Sequence, residues 1–277
     1  MKDVTFGQYY PSNSVVHRMN ASVKILIVIA YIVAVFMADS SDFYFLSLFA
    51  CLLFVLIAVP VAKVPFIKVL KSVKGIIIFV LLSAILQIFF NKSGTPLWEG
   101  GFITDRGLLS AGFITLRIVL VVLGASLLTL TTSPVELADG IETLLYPLKW
   151  IKFPVHEFAL IMSIALRFIP TLMDETDRII KAQKARGANF ESRNVFKKAK
   201  ALIPVLIPLL ISSFRRADEL ADAMDARCYA GSKNRTKFKK NTFRLSDLFG
   251  LVLVAGLITG VVFLNGFHLY PYLVAWL

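Results

Sequence analysis

Long apolar runs, separated by short polar connections, dominate the first half of the chain. They cover residues 21–38, 43–62, 75–90 and 108–130, and a fifth run at 248–264 continues as an apolar tail to Leu277. Each run approaches the roughly 20 residues that a helix needs to cross a bilayer. The pattern therefore predicts an all-α integral membrane protein with about five transmembrane helices.

The third run is the weakest of the five, because it is short and contains Gln87. A span built on residues 75–90 must extend back into residues 69–73 or rely on local thinning of the bilayer. The segment before the first run is polar and aromatic and lacks the layout of a signal peptide. The first run is therefore expected to remain as a membrane anchor.

The placement of lysine and arginine predicts how the chain is oriented in the membrane. Basic residues precede the first run, none occurs in residues 38–42, and four lysines follow the second run. Residues 131–247 then carry 20 of the 30 basic residues. This alternation predicts a multi-pass protein of the cell membrane whose N-terminus and region 131–247 are cytoplasmic. Five spans leave the C-terminus outside, whereas a final segment split at Asn265 and His268 would bring it back.

Composition agrees with the membrane class and argues against a nucleic-acid partner. The chain is 57% hydrophobic, with a mean hydropathy of +0.74, which is outside the usual range of soluble domains. A net charge of +12 would suggest nucleic acid in a soluble protein, but residues 131–247 hold 13 acidic residues beside their 20 basic ones. Basic cytoplasmic faces are the norm for membrane proteins. The two cysteines, Cys51 and Cys228, form no disulfide framework.

Between the fourth and fifth apolar runs the sequence predicts a helical region. Ser133 and Glu136 have the spacing of a capping box, and Pro134 suits the first position of a helix that ends near Leu145. We therefore divide the chain into residues 1–132 with the first four spans, residues 133–247 with three cytoplasmic helices, and residues 248–277 with the last span.

The second helix of this region changes character along its length. It opens at Pro154 and is apolar nearly all round over residues 158–168, so that surface must be buried in lipid, in this protein or against a partner. Pro170 is expected to kink it before a charged half, and Gly187 is a plausible C-terminal cap.

The third helix repeats this layout. A basic connection at residues 190–200 precedes it, and the helix is expected to begin near Ala201, to be apolar over residues 202–214 and to be charged over residues 215–227. Such rods can pack their bodies on membrane protein while their tips reach an aqueous partner. The alternative is two additional spans, but the apolar runs of roughly 10–12 residues are expected to be too short to cross.

Two matched motifs close these two helices. Their residues are Ala185, Arg186 and Gly187 in the first, and Ala226, Arg227 and Cys228 in the second. Counting back from each arginine, both have Asp nine places earlier, Ile or Leu seven places earlier, and Ala at the fourth and first places. Small residues at this spacing share one helix face, which another surface can approach closely. An arginine at its tip offers a fixed fork of donors to a carboxylate or phosphate, so the pair favours a binding role over two charges that merely complement helix dipoles.

Several kinds of chemistry lack their sequence patterns. There is no phosphate-binding glycine loop, and the three histidines lie far apart without cysteine or carboxylate partners at ligand spacing. No metal site and no cofactor is therefore expected on this chain. Arg117, inside the fourth run, is expected to snorkel or to make a helix–helix contact.

Three parts of the sequence carry a resemblance to a known family. They are residues 14–24 before the first span, residues 131–137 where the basic region begins, and the two Ala-Arg motifs. On these the chain resembles the transmembrane T component of the energy-coupling factor transporters. It departs from the family at Cys228, where the family has glycine, and at Asn20-Ala21, where the family usually has Asp-Pro.

The resemblance implies a subunit that is not an enzyme. Two ABC-type ATPase subunits, which hold ATP and magnesium, would receive Arg186 and Arg227, one each, in grooves lined with acidic residues. The apolar halves of the helices would grip a small membrane-embedded substrate-binding protein, the S component, and we expect residues 158–168 and 202–214 also to pack on each other. The expected contacts are Phe158, Ile161, Met162, Ala165, Leu202, Leu206, Leu209 and Leu210. ATP-driven movement of the ATPases would thereby reach the S component, for uptake of vitamins or other micronutrients.

A polytopic membrane enzyme acting on phosphorylated lipid or prenyl substrates is the alternative. Its cytoplasmic arginines would hold phosphates, and paired carboxylates would bind magnesium. The candidate carboxylates are Asp174, Glu175 and Asp177, and Asp218, Glu219 and Asp222. Their position within charged helices beside arginines suits intrahelical pairs better.

Overall fold

The computed structural model describes residues 9–38, 44–91, 104–151, 154–188, 190, 195–229, 231 and 243–266, and every regular element within them is helical apart from an isolated bridge residue. The α-helices are α1 (Val15–Arg18), α2 (Ala21–Met37), α3 (Tyr44–Val61), α4 (Phe66–Lys74), α5 (Ile77–Phe90), α6 (Asp105–Thr131), α7 (Pro134–Leu145), α8 (Val155–Ala185), α9 (Val195–Asp225) and α10 (Leu245–Gly266). A short 3-10 helix, Tyr146–Ile151, follows α7. The predicted all-α membrane fold is confirmed.

The five predicted spans correspond to α2, α3, the pair α4–α5, α6 and α10. Among the described residues, α6, α10 as far as Leu264 and the pair α4–α5 are long and apolar enough to cross a membrane. α2 and the Leu46–Val61 part of α3 are shorter apolar helices. The part of the final apolar segment that contains His268 lies outside the described residues.

The third span is two helices and not one. α4 and α5 satisfy the requirements of a span together, but they are bent by 60° at the break between them. The expected extension into residues 69–73 therefore exists as a separate helix. Lysines on α4 explain the change of direction, because three ammonium groups resist entry into the hydrocarbon region.

Two expectations about the long helices are wrong. α8 is one continuous helix that contains Pro170. It is long and apolar enough to cross a membrane, and its apolar part is mostly not buried within this chain. Its apolar part is thus not too short to cross, since the uninterrupted helix joins residues on both sides of the proline. α9 starts at Val195 and not near Ala201, because Lys and Ala in the supposed connection are strong helix formers.

By its internal contacts the chain divides into two compact units. We call Met1–Phe6 with Ile141–Lys240 the helix-pair unit, and Gly7–Gly140 with Asn241–Leu277 the bundle unit. The helix-pair unit contains α8 and α9, and the bundle unit contains the other helices apart from the end of α7.

The bundle unit is organised around α6, which packs against α2, α3, α4 and α5, while α10 packs on α2 and α3. Tyr31 lies at the centre, 2% exposed, with its ring stacked on Phe54 at 5.6 Å between centroids. Its hydroxyl donates to the Leu120 carbonyl at 3.3 Å. Gly124 is required opposite this ring, because a Cβ there would collide with the aromatic carbons.

Arg117 makes the helix–helix contact expected of it. Its guanidinium donates to the Ala38 carbonyl at the end of α2 and lies 4.6 Å from the centroid of the Phe113 ring. The arginine thereby joins α6 to α2 within the bundle unit.

A polar junction closes one end of the bundle unit. The Lys24 ammonium, on a residue only 4% exposed, donates to the carbonyls of His17 and Thr131 at 3.2 and 3.0 Å and to the Thr132 hydroxyl at 3.3 Å. The nearby carboxylates of Glu136 and, to a smaller extent, Asp247 further stabilise its charge. The ammonium is therefore buried with partners, as a charge away from water must be.

Asp247 is the acidic half of this polar junction and is fully buried. Its carboxylate accepts from the backbone N–H of Asn20 at 3.0 Å and of Arg244 at 2.8 Å. The Arg244 guanidinium in turn donates to the Arg18 carbonyl at 3.1 Å. The N-terminal segment, the end of α6 and the start of α10 are thereby held together.

The predicted capping box begins α7. The Ser133 N–H donates to the Glu136 carboxylate, and the Glu136 N–H donates to the Ser133 hydroxyl, both at 3.3 Å. α7 ends at Leu145, as expected.

Candidate functional site

The first Ala-Arg motif is shaped by the way α8 ends. Arg186 caps the helix, and Gly187 follows with a φ of +85°. The Ala188 N–H donates to the Gln183 carbonyl and the Gly187 N–H donates to the Lys184 carbonyl, both at 3.0 Å. These two bonds form a Schellman motif, which satisfies carbonyls that a helix end leaves free. The predicted glycine cap is confirmed.

The second motif has the same geometry although it lacks the glycine. Cys228 adopts a φ of +54°, the left-handed conformation that Gly187 adopts in the first motif. The Tyr229 N–H donates to the Met224 carbonyl at 3.1 Å, and the Cys228 N–H donates to the Asp225 carbonyl at 2.8 Å. Arg227 therefore has the same capping place as Arg186.

All six motif residues are exposed, so both arginines lie at accessible helix tips. Ala185 and Ala226, each directly before its arginine, add no bulk beside the guanidinium. A flat, planar donor fork on a rigid backbone turn is suited to a carboxylate or phosphate of a partner.

Within the helix-pair unit, α8 and α9 run antiparallel. The Arg216 guanidinium donates to the Glu175 carboxylate at 3.3 Å, and residues 220–231 of the α9 end share a cavity with residues 160–167 of α8. Later residues of α9 therefore face earlier residues of α8. The two arginine tips accordingly lie at opposite ends of the pair.

The ion pair marks the centre of a pseudo-two-fold relation. Glu175 lies 11 positions before Arg186, and Arg216 lies 11 positions before Arg227. At about 1.5 Å per residue, each arginine is about 16 Å along its helix from the ion pair, in opposite directions. Sequence reasoning aligned the two motifs but missed this contact, because it depends on how the two helices pack and not on the spacing of residues along either one.

A cavity of about 630 Å³ lies beside the second tip. Arg227 and Cys228 line it together with Arg167 and apolar side chains of the first half of α8. The structure thus places the second motif next to Leu160, Ser163 and Ile164 of α8, none of which is a predicted S-component contact, and it places the first motif at the far end of the pair.

The predicted S-component positions are not covered within the helix-pair unit. Ile161 is 64% exposed and Leu206 is 60% exposed, and the others are exposed or half-buried: Phe158, Met162, Ala165, Leu202, Leu209 and Leu210. The expectation that the two apolar halves pack on each other is wrong, because the antiparallel arrangement sets the apolar half of α8 against the charged half of α9.

The carboxylates of α8 and α9 do not converge into a metal site. In the described part of the chain, no three His, Cys, Asp or Glu side chains lie close enough together to hold a metal ion. Glu175 is engaged instead with Arg216.

A known protein family matches most of the chain. The family model for CbiQ, a cobalt transport protein, matches residues 12–238. That stretch contains four of the predicted spans and both Ala-Arg motifs.

Curated relatives extend the match to almost the whole chain. The energy-coupling factor transporter transmembrane protein EcfT of Clostridium kluyveri is 50% identical over 261 residues, which is 92% of this chain and 95% of the relative. The EcfT protein of Ruminiclostridium cellulolyticum is 47% identical over 98% of each chain, and that of Bacillus subtilis is 43% identical over 93% and 98%. Identity of this extent means that the chain belongs to the EcfT family, the multi-pass transmembrane proteins of energy-coupling factor transporters.

Proposed function

We propose that this chain is the coupling subunit of an energy-coupling factor importer, with Arg186 and Arg227 each docking on one of two ATPase subunits. The observation that carries the proposal is the duplicated helix end. Two arginines with identical capping geometry lie at opposite ends of one antiparallel helix pair. A pseudo-symmetric pair of tips is suited to two similar partners.

The ATPases would hydrolyse ATP, and this chain would transmit their movement to the S component. ATP and magnesium would bind on the partner subunits, and this chain would hold no cofactor and catalyse no reaction. Carboxylates in the ATPase grooves would accept the guanidinium forks. The two ends of the helix pair that carry Arg186 and Arg227 would then move with the ATPase subunits that bind them.

The apolar faces of α8 and α9 would bind the S component. Ile161 of α8 and Leu202 of α9 occupy equivalent places, as do Ala165 and Leu206, because each pair is 41 positions apart. Exposed apolar surface of this extent marks an interaction site in a membrane or protein complex. Movement of the helix pair would thereby reorient the S component and release a vitamin or another micronutrient inward, with the helix-pair unit on the cytoplasmic side.

Removing both arginines tests the ATPase contacts. The chain is expressed in membranes with tagged ATPases and an S component, and ATPase recovery and substrate uptake are measured. Losing one desolvated arginine from an ion pair costs about 2–5 kcal/mol. We therefore expect Arg186→Ala or Arg227→Ala alone to impair uptake with partial assembly, and the double variant to lose the ATPases. Lysine at both positions should restore little, because a point charge cannot replace the planar fork.

The matched control is Lys181→Ala with Arg215→Ala, which also removes one exposed basic side chain from each helix. This control should assemble and transport normally. Normal assembly and uptake in the double arginine variant would refute the docking role and leave both residues as charges at helix ends.

A further inference from the structure

The short helix α4 is strongly tilted relative to α5, the longer helix of the same bent pair. α4 and α5 meet at 60°, joined by Gly75 and Ile76 alone. A short helix so close to a span and so strongly tilted from it lies near the plane where membrane meets water. Such interfacial helices bind membranes when one sector is apolar and its border is basic.

α4 has one buried face and one exposed apolar stripe. Val69 is fully buried and Val73 packs against the same core. On the adjoining sector Phe66, Ile67 and Leu70 are exposed, with Ile67 at 70%. The exposed stripe continues into α5, whose large apolar side chains are exposed along most of its length. Lipid that covered the exposed side chains of α5 would therefore also reach the stripe on α4.

Lysines border this stripe. Lys71 and Lys74 are exposed, and Lys68 lies over the Tyr10 ring at 4.1 Å from its centroid. The sequence has no Asp or Glu in residues 43–98. Among the described residues, no ion pair joins these lysines to a carboxylate. Their charge is available to an external anion.

Lys63, a fourth lysine close to α4 in the sequence, has an unusual backbone conformation. Its φ is +53°, and its N–H donates to the Pro60 carbonyl at 3.0 Å while the Val64 N–H donates to the Val59 carbonyl at 3.5 Å. α3 thus ends with a lysine at the left-handed position that glycine usually occupies. A lysine there strains the backbone, whereas glycine would not.

We propose that α4 is an interfacial helix that binds anionic phospholipid. Phe66, Ile67 and Leu70 enter the acyl region beside α5, and the ammonium groups of Lys71 and Lys74, together with Lys63, contact lipid phosphates. Within the part of the chain that the structure describes, these lysines form no ion pair with a carboxylate. The anionic phosphates of such lipids would complement their charge. This surface is separate from the arginine tips, so it holds or fails independently of the coupling role.

Depth-dependent quenching with labelled lipids tests the proposal. The full chain with Cys51→Ala, Cys228→Gly and Ile67→Cys receives a fluorophore at residue 67. It is reconstituted in phosphatidylcholine vesicles containing a minority of phosphatidylglycerol, with a nitroxide quencher on one lipid or the other. We expect the fluorophore to be quenched more strongly by labelled phosphatidylglycerol, and less selectively at high salt.

Removing the border charges should abolish this selectivity. Each lysine near an anionic surface contributes about fivefold, so Lys71→Gln with Lys74→Gln should reduce the phosphatidylglycerol preference by about 25-fold. Arginine at both positions should restore it, which excludes misfolding as the cause. Lys181→Gln with Lys200→Gln, two exposed lysines of the helix-pair unit, is the matched control and should leave it unchanged.

Two other results would overturn the proposal. Equal quenching by both lipids in the unmodified helix would mean that the lysines only orient the chain. A fluorophore shielded from both lipids until the S component is removed would mean that a protein covers the stripe.

Discussion

The bundle unit and the helix-pair unit differ in what their apolar side chains touch. In the bundle unit, 15 buried apolar residues form one cluster that includes Tyr31, Leu48 and Leu120. Among the described residues of the helix-pair unit, Val155 and Val205 are the buried hydrophobic ones. One unit therefore contains its own core, while the other presents its apolar surface outward.

This difference shows two ways of stabilising helices. The bundle unit depends on packing and on a buried polar junction, both of which are internal. The helix-pair unit depends on local features, namely two Schellman caps and the Glu175–Arg216 ion pair, which is only partly buried. Exposed ion pairs contribute about 1 kcal/mol or less. Because few internal interactions stabilise this helix pair, it is suited to partners that bury its exposed apolar side chains.

A charge introduced into each unit should give the largest contrast. Leu120→Glu would bury a carboxylate without a partner, which destabilises by several kcal/mol, and should prevent recovery of folded protein. Ile161→Glu, on an exposed residue, should leave the midpoint of thermal unfolding in detergent almost unchanged. It should nevertheless release the S component while the ATPases remain bound. An equal loss of thermal stability in both variants would contradict the comparison.

Within the bundle unit, the polar junction can be separated from general packing. Lys24→Met keeps the length of the side chain but leaves the carbonyls of His17 and Thr131 without this donor and removes a positive charge near Glu136 and Asp247. We expect a loss of about 3 kcal/mol, measured as a lower unfolding midpoint. Ser22→Ala is the control two positions earlier, since the buried Ser22 hydroxyl has no hydrogen-bond partner among the residues that the structure describes. It should be neutral, and equal effects of both changes would show that the junction contributes nothing of its own.

In the helix-pair unit, the two caps should respond in opposite directions. Gly187→Ala places a Cβ on a left-handed residue and should weaken the first cap by about 1 kcal/mol. Cys228→Gly relieves the same strain in the second cap and should strengthen it by about 0.5 kcal/mol. Hydrogen exchange at the Ala188 and Tyr229 amides measures each effect, as about fivefold faster and about twofold slower exchange. The same direction of change in both would mean that the caps are not equivalent.

Helix existence was largely predictable from the sequence, because local signals determine it. The Ser133–Glu136 capping box, the end of α7 and the Gly187 cap were all predicted from residue type and spacing, and the structure confirms them. The predicted start of α9 near Ala201 was wrong because the apolar pattern begins there, whereas the lysines and alanine before it are strong helix formers and extend the helix back to Val195. The functional division into three parts and the roles of the arginines and of the exposed apolar residues stay predictions.

The polar junction shows what residue patterns miss. Lys24 lies at the start of the first apolar run and Asp247 at the end of the basic region, yet the two residues are 4% and 0% exposed. They lie more than 200 positions apart, and only folding brings them to one end of the bundle. No local spacing encodes the hydrogen bond from the Asn20 N–H to the Asp247 carboxylate.

The sequence by itself determined the membrane class, the approximate spans, the duplicated arginine ends and the family, because hydrophobic length and local motifs act over short distances along the chain. The tertiary structure decided the bend between α4 and α5, the antiparallel pairing that separates the two tips, and the conformation that makes Cys228 equivalent to Gly187. These features depend on contacts between distant residues and on backbone angles, and neither is specified by one stretch of residues alone.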